Sequence, residues 1–404
     1  MNVLSRLWLR RDEDRDKLAS GVSRRKQPTA AAADLARQLG GVDAAAVMVF
    51  ASPDFEPQPL ARALAECFGN FPVIGCTTAG EITPLGYETG TLTGVAFPRR
   101  HFRFSTHLLD EVSKLSINDR MRFCRNIVTE FGETPGWRSL ALLLIDGMCR
   151  QEEAVLSALE PGLAPIPILG GSAGDGLAFK QAFVLHDGAF HSDAALLALV
   201  ETDYRFTELR FDHFLPTDKR MVVTEADPAR RLVREINAEP AAVEYARAVG
   251  CRVEDLSPFV FATHPTLVRV GGKYHVRSIQ KVEEDNGLSF LCAIDEGLVM
   301  TVGKAQDIVT HLDSELSRLH AENGPPAMVL GFDCMLRRLE AELLKKYHAV
   351  SDLLSRNRVI GFSTYGEQYH GMHVNQTFVG IAFHEPKKSP KKAPGGPPAR
   401  TSVP

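Results

Sequence analysis

The sequence is short of the features that usually give a protein's chemistry away. Its 404 residues hold no run of about 20 apolar residues, so no membrane-spanning helix is expected. It has no basic excess: 46 Lys and Arg stand against 50 Asp and Glu, a formal net charge of -4. Proteins that grip nucleic acid usually carry a basic face, so that class is set aside. The 7 cysteines are odd in number and include no C-x-x-C pair. Neither a disulfide framework nor a zinc knuckle follows from them. Buried, reduced thiols in a cytoplasmic protein are the expectation, as for Cys292 in its apolar run. No Walker loop, G-x-G-x-x-G or H-E-x-x-H occurs. Met1–Arg10 is too short, and too soon broken by charge, to be a signal peptide.

What is present is a repeat. The run VIGCTTAGE at residues 73–81 resembles VIGFSTYGE at 359–367. Over the 25 positions from Val73 to Phe97, 10 are identical at an offset of 286. A weaker third copy is ILGGSAGD at 168–175. Each copy follows a strand-like run and a helix-like run, so the unit reads β-α-β-turn-β. The helix before the last copy is expected over Cys334–Leu354, from its apolar stripe at 3- and 4-residue spacing. Pro228–Ile236 reads as helix, and residues 258–310 as short strands joined by Gly-Gly and Asn-Gly turns. The fold class is α+β: mixed sheets from three β-α-β-β repeats, covered by helices. Residues 1–28 read as a flexible leader. The Pro-, Lys- and Gly-rich 386–404 read as a disordered basic tail.

These motifs, with the run FDCMLRR at 332–338, resemble the FIST family, an N-terminal FIST domain over 40–240 and its companion over 241–385. The resemblance implies a sensory, ligand-binding protein. The run from Phe261 to Lys281 is similar to the stand-alone bacterial branch that binds haem b and senses nitric oxide. Such a protein would act on a partner, a sensor histidine kinase or a diguanylate cyclase or phosphodiesterase. The resemblance makes His264, held extended by Pro265, the candidate ligand of the haem iron. His373 is the second candidate, because the first repeat has Tyr87 in its place, so the fold does not require an imidazole there. Cys334 is a possible thiolate, and Arg338 a partner for a propionate. The turn residues Gly170, Gly171 and Ser172, with Gly361 and Thr364, could cradle a ligand through backbone N–H groups. A sensor of amino acids or small carboxylates without haem is the alternative, with Arg269 or Arg277 as the carboxylate's partner. Catalysis is the remaining reading: Cys149 stands at a strand end, with no base identifiable beside it.

Overall fold

The computed structural model describes residues 15–386 apart from Asn70 and Glu133. Three units of one design make up the body. Unit one has an edge strand Ala19–Ser23, inner strands Ala44–Ala51 and Val73–Thr77, a hairpin Glu81–Thr83/Gly86–Glu88, and a return strand Leu92–Pro98. Unit two repeats the order with Phe102–Leu109, Arg138–Asp146, Ile168–Ala173, the hairpin Val184–His186/Ala189–His191, and Ala195–Thr202. Unit three does so with Arg205–Phe211, Met328–Cys334, Val359–Thr364, the hairpin Glu367–Tyr369/Met372–Val374, and Phe378–His384. In each unit the inner strands are parallel and the return strand runs antiparallel beside the first of them.

No unit completes its own sheet. The hairpin of unit one pairs with the sheet of unit three, through Gly361 opposite Ile82. The hairpin of unit two joins unit one, with Leu185 opposite Gly75. The hairpin of unit three joins unit two, with Gln368 opposite Gly170. Each of the three sheets therefore has six strands, four of its own unit and two lent by another.

The inner faces meet in one aromatic core that includes Phe50, Phe97, Phe102, Phe332, Phe362 and Phe383. Each such side chain, fully buried, contributes about 1.5–3 kcal/mol. Helices cover the outer faces: Pro28–Leu39 and Pro57–Phe68 on unit one, Ile117–Glu130 and Glu152–Leu163 on unit two, and Ile308–Asn323, Met335–Leu343 and Tyr347–Arg356 on unit three. The repeated glycine has a steric cause. A Cβ at Gly75, Gly170 or Gly361 would lie 1.9, 1.8 or 1.7 Å from the carbonyl oxygen of Val49, Leu143 or Gly331 on the neighbouring strand. Only glycine admits that approach.

A lobe, Phe214–Ala305, is inserted into unit three and has its own eight-stranded sheet and core. It hangs on two antiparallel strands, Phe214 opposite Ala305. Three expectations are corrected. The leader is not flexible up to residue 28: Ala19–Ser23 is an edge strand paired with Leu92–Ala96, and a helix starts at Pro28. Residues 1–14 of that leader lie outside the described residues, as does the tail from 387. Pro228–Ile236 is not a helix. A short turn at Pro228–Arg230 leads into the strand Leu232–Ile236, whose Val and Ile suit a sheet. The helix expected over Cys334–Leu354 is two, broken where Lys345 turns left-handed at φ 58°. The stripe misled because Leu343 belongs to it by spacing yet points to solvent.

Candidate functional site

The threefold design supplies an internal comparison. Each hairpin places one residue pair at its centre, opposite one another across the two strands. In unit one the pair is Ile82 and Tyr87, and in unit two Leu185 and Phe190. In unit three it is Gln368 and His373, 0% and 3% exposed. Units one and two fill these places with aliphatic and aromatic side chains, of which only Tyr87 carries a polar atom, its hydroxyl bonded to Asp333; unit three buries two polar side chains instead.

Their hydrogen bonding is incomplete. Gln368 Nε2 donates to Ser172 Oγ at 2.9 Å, but its Oε1 has no partner among the described residues. His373 Nδ1 lies 3.5 Å from Gln368 Nε2, and its Nε2 has no partner. Asn375 Oδ1 and Gln376 Oε1 on the following turn, both buried, are also unpartnered. A buried polar group without a partner costs about 1–3 kcal/mol, so such a concentration calls for a group that fills it. Gly366 lets the imidazole in, since a Cβ there would stand 2.6 Å from His373 Nε2.

The lobe roofs this hairpin. Arg277 NH1 reaches 3.5 Å from the carbonyl of His373, and Gln376 Nε2 donates to the carbonyl of Ala262 at 3.1 Å. Ser278, beside Arg277, is buried with its Oγ unpartnered. The helix Glu152–Leu163 forms another wall. Burial acts to raise the Glu153 carboxyl, but the charges of His373 and Arg231 outweigh it and leave its pKa lowered. The site thus joins three amide side chains, an imidazole, a guanidinium and a carboxylate.

Three of the residues expected from sequence, His264, Arg338 and Cys334, are not among the groups gathered there. His264 ends the short helix Pro258–Thr263; its Nδ1 is 3.0 Å from Thr263 Oγ1 and its carbonyl accepts the Tyr245 hydroxyl at 2.7 Å. Burial lowers its pKa. Arg338 is held by Glu342 and the carbonyl of Glu88, against the rings of Tyr87 and Tyr347. Cys334 is fully buried, and burial pushes its thiol well up, away from the thiolate. Among the cavities that the described residues form are two large ones. One of about 600 Å³ lies between the helices of unit one, against Leu39, Val47 and Phe68. The other, about 450 Å³, lies beside Asp146, Cys149 and Lys180. Neither is lined by His264, His373, Cys334 or Arg338.

The expected ligand turn is a correction too. Gly170, Gly171 and Ser172 are mid-strand and buried, and their backbone is paired. Gly170–Gly174 also spells G-x-S-x-G, the pattern of a nucleophile elbow. Ser172 is no exposed nucleophile: it is 0% exposed and its Oγ accepts from Gln368. Gly361 is likewise within a strand. Thr364 anchors a carboxylate: its hydroxyl donates to Glu367, which also accepts the amide and hydroxyl of Thr377 at 3.1 and 2.6 Å. Unit one repeats this with Thr78, Glu81 and Thr91.

Burial pushes Glu367 up to about 8, against those hydrogen bonds and with help from Asp333. Its folded pKa then exceeds its unfolded one, so the folded state holds the extra proton between about pH 4.5 and 8. Stability should fall as pH rises through that window, by up to about 1.4 kcal/mol per pH unit. Glu367→Gln should flatten this slope. Urea unfolding of both proteins from pH 5 to 8.5 checks it, and parallel slopes would refute it.

Residues 45–239 match the FIST N domain, and residues 241–370 match the FIST C domain. The chain belongs to the FIST family. The two FIST matches meet at residue 240, inside the lobe. An uncharacterized protein of Methanocaldococcus jannaschii is 25% identical over 353 residues, which covers 77% of this chain and 67% of that protein. FIST domains are associated with sensing in signal transduction. No helix among the described residues is long and apolar enough to cross a membrane.

Of the FIST residues named from sequence, His373, Gly170, Gly171, Ser172 and Arg277 come together at the polar pair. Arg269 lies on an exposed strand end instead. Gln368, Asn375, Gln376 and Ser278 were missed. The repeat carried the signal for one of them: Gln368 stands where unit one has Ile82.

Proposed function

We propose that this FIST protein is a sensor of amino acids or similarly small carboxylates, held at Gln368 and His373 beneath the lobe. The observation that carries the reading is the buried, incompletely bonded polar pair, at a position the other two units fill with aliphatic and aromatic residues whose polar atoms are bonded. Arg277 and His373 suit a carboxylate, since a guanidinium donates two parallel hydrogen bonds to it. Glu153 and the side-chain oxygens of Asn375 and Gln376 suit an ammonium group. The bound state is passed to a partner, of the kind of a sensor histidine kinase or a cyclic-di-GMP enzyme.

The test is a thermal-shift screen of the full chain with the amino acids, small carboxylates and haem. A ligand at a hundred times its Kd stabilises by about 2.7 kcal/mol, enough to read. The expected result is a shift with one amino acid or carboxylate class. No shift with any of them, or stoichiometric haem uptake with a Soret band, would overturn the reading.

A further inference from the structure

The proposed ligand site is closed. Gln368, Asn375 and Gln376 are fully buried, and lobe residues sit over them. A ligand can reach the site only if a wall moves. The body offers none that moves cheaply, because the hairpin of unit three is paired into the sheet of unit two. The lobe is different: it is tied to the body covalently by two adjacent strands, at Phe214 and Ala305.

One side chain, Arg231, ties the lobe to the body by ion pairs, beside the hydrogen bonds of Arg277 and Gln376 and of Arg210, whose NH2 lies 3.0 Å from His275 Nδ1. Arg231 NH2 bonds Glu152 and Glu153 at 2.6 and 2.7 Å, on the first turn of the helix Glu152–Leu163. Its NH1 donates to the carbonyl of Leu291 at 2.7 Å. That carbonyl's segment adds the amide of Ala293, which donates to Glu153 at 2.7 Å. Arg231 itself is 5% exposed and held left-handed at φ 51°, a conformation uncommon for an arginine. Beside it lies Cys292, fully buried within reach of the fields of Arg277, Glu153 and Arg231.

We infer that the lobe swings on the ribbon at Phe214 and Ala305 to admit ligand, and that Arg231 is the residue that holds it shut. This rests on the ligand site proposed above. Arg231 touches no ligand; it acts through the position of the lobe. Breaking its two ion pairs raises the open population, and a ligand that bridges Arg277 and His373 lowers it, because only the closed state offers both.

The chain carries its own reporters. Cys292 lies on the lobe where it faces Glu153 of the body, whereas Cys76 lies in the body's aromatic core. Burial pushes the Cys292 thiol up to about 11, so it should label only when uncovered. The experiment is iodoacetamide labelling of the full chain without ligand, read at each cysteine by peptide mass spectrometry. In the wild type, Cys292 should label well before Cys76. Arg231→Gln should speed Cys292 about tenfold or more, with Cys76 lagging as before, and Arg231→Lys should fall between. Equal rates at Cys292 and Cys76 in the wild type would overturn the inference, since exposure would then need global unfolding. An unchanged Cys292 rate in Arg231→Gln would overturn it as well. Early labelling of Cys292 in a chain that shows no thermal shift with amino acids keeps the moving lobe and removes the ligand reading.

Discussion

Replacing Gln368 and His373 together by leucine should abolish ligand binding and make the fold more stable. The substitution gives unit three an apolar pair like the Leu185–Phe190 of unit two. It removes the unpartnered Gln368 Oε1 and His373 Nε2, each a cost of about 1–3 kcal/mol when buried. Against that stands the lost bond from Gln368 to Ser172, about 1 kcal/mol. The net change should be a gain of about 1–5 kcal/mol in urea unfolding. Binding should fall by a factor of about 100 or more, from loss of two contacts at roughly 1.4 kcal/mol per factor of ten. Isothermal titration with the amino acid or carboxylate found in the screen measures this. A protein that loses stability and keeps its affinity would show that the pair is structural.

The largest loss of stability should come from Arg337→Met. Arg337 is 1% exposed and stands in a buried chain of five groups. The Tyr87 hydroxyl donates to Asp333, and Arg337 Nε donates to Asp333 at 2.7 Å. Arg337 NH1 donates to His213 Nδ1 at 2.8 Å, and His213 Nε2 meets Glu340 at 2.8 Å. Because a guanidinium can only donate, His213 Nδ1 must accept, and the ring proton sits on Nε2, facing Glu340. Burial keeps the His213 pKa low, so the ring is neutral and Arg337 is the cation between two buried carboxylates. Removing it leaves both uncompensated, at a cost of about 3–5 kcal/mol. That is a large part of the roughly 5–15 kcal/mol by which proteins are stable. Adding Asp333→Asn and Glu340→Gln should recover most of it. A loss below about 1 kcal/mol for Arg337→Met in urea unfolding would refute the account.

The sequence reading reached the repeat because close-packed glycines and the Thr-x-x-Glu anchor leave few substitutions open. Gly75 and Gly361 cannot carry a Cβ, and Glu81 and Glu367 each need the same threonine. The exchange of hairpins was not legible. Alternation along Glu367–Tyr369 gives a strand, but nothing in its period says which sheet it joins. The lobe was split for a similar reason, since the partners of its first and last strands, Phe214 and Ala305, lie 91 residues apart in sequence. The site was half legible. His373 stood out against Tyr87 of the first repeat, while Gln368, which stands where that repeat has Ile82, was not singled out. His264 was favoured by its flanking apolar run, yet that run is a short helix whose end, not a pocket, holds the ring.

The lending of hairpins around the body has a consequence for how such a protein could arise. A chain of one unit would leave its own sheet two strands short and its hairpin without a seat. Three copies set in a ring would satisfy every edge, each giving its hairpin to one neighbour and taking one from the other. That is a domain-swapped trimer with threefold cyclic symmetry. Fusing its three copies end to end would give the present body. It would also free each copy to diverge, so that one hairpin could turn polar while the other two kept the architecture sound.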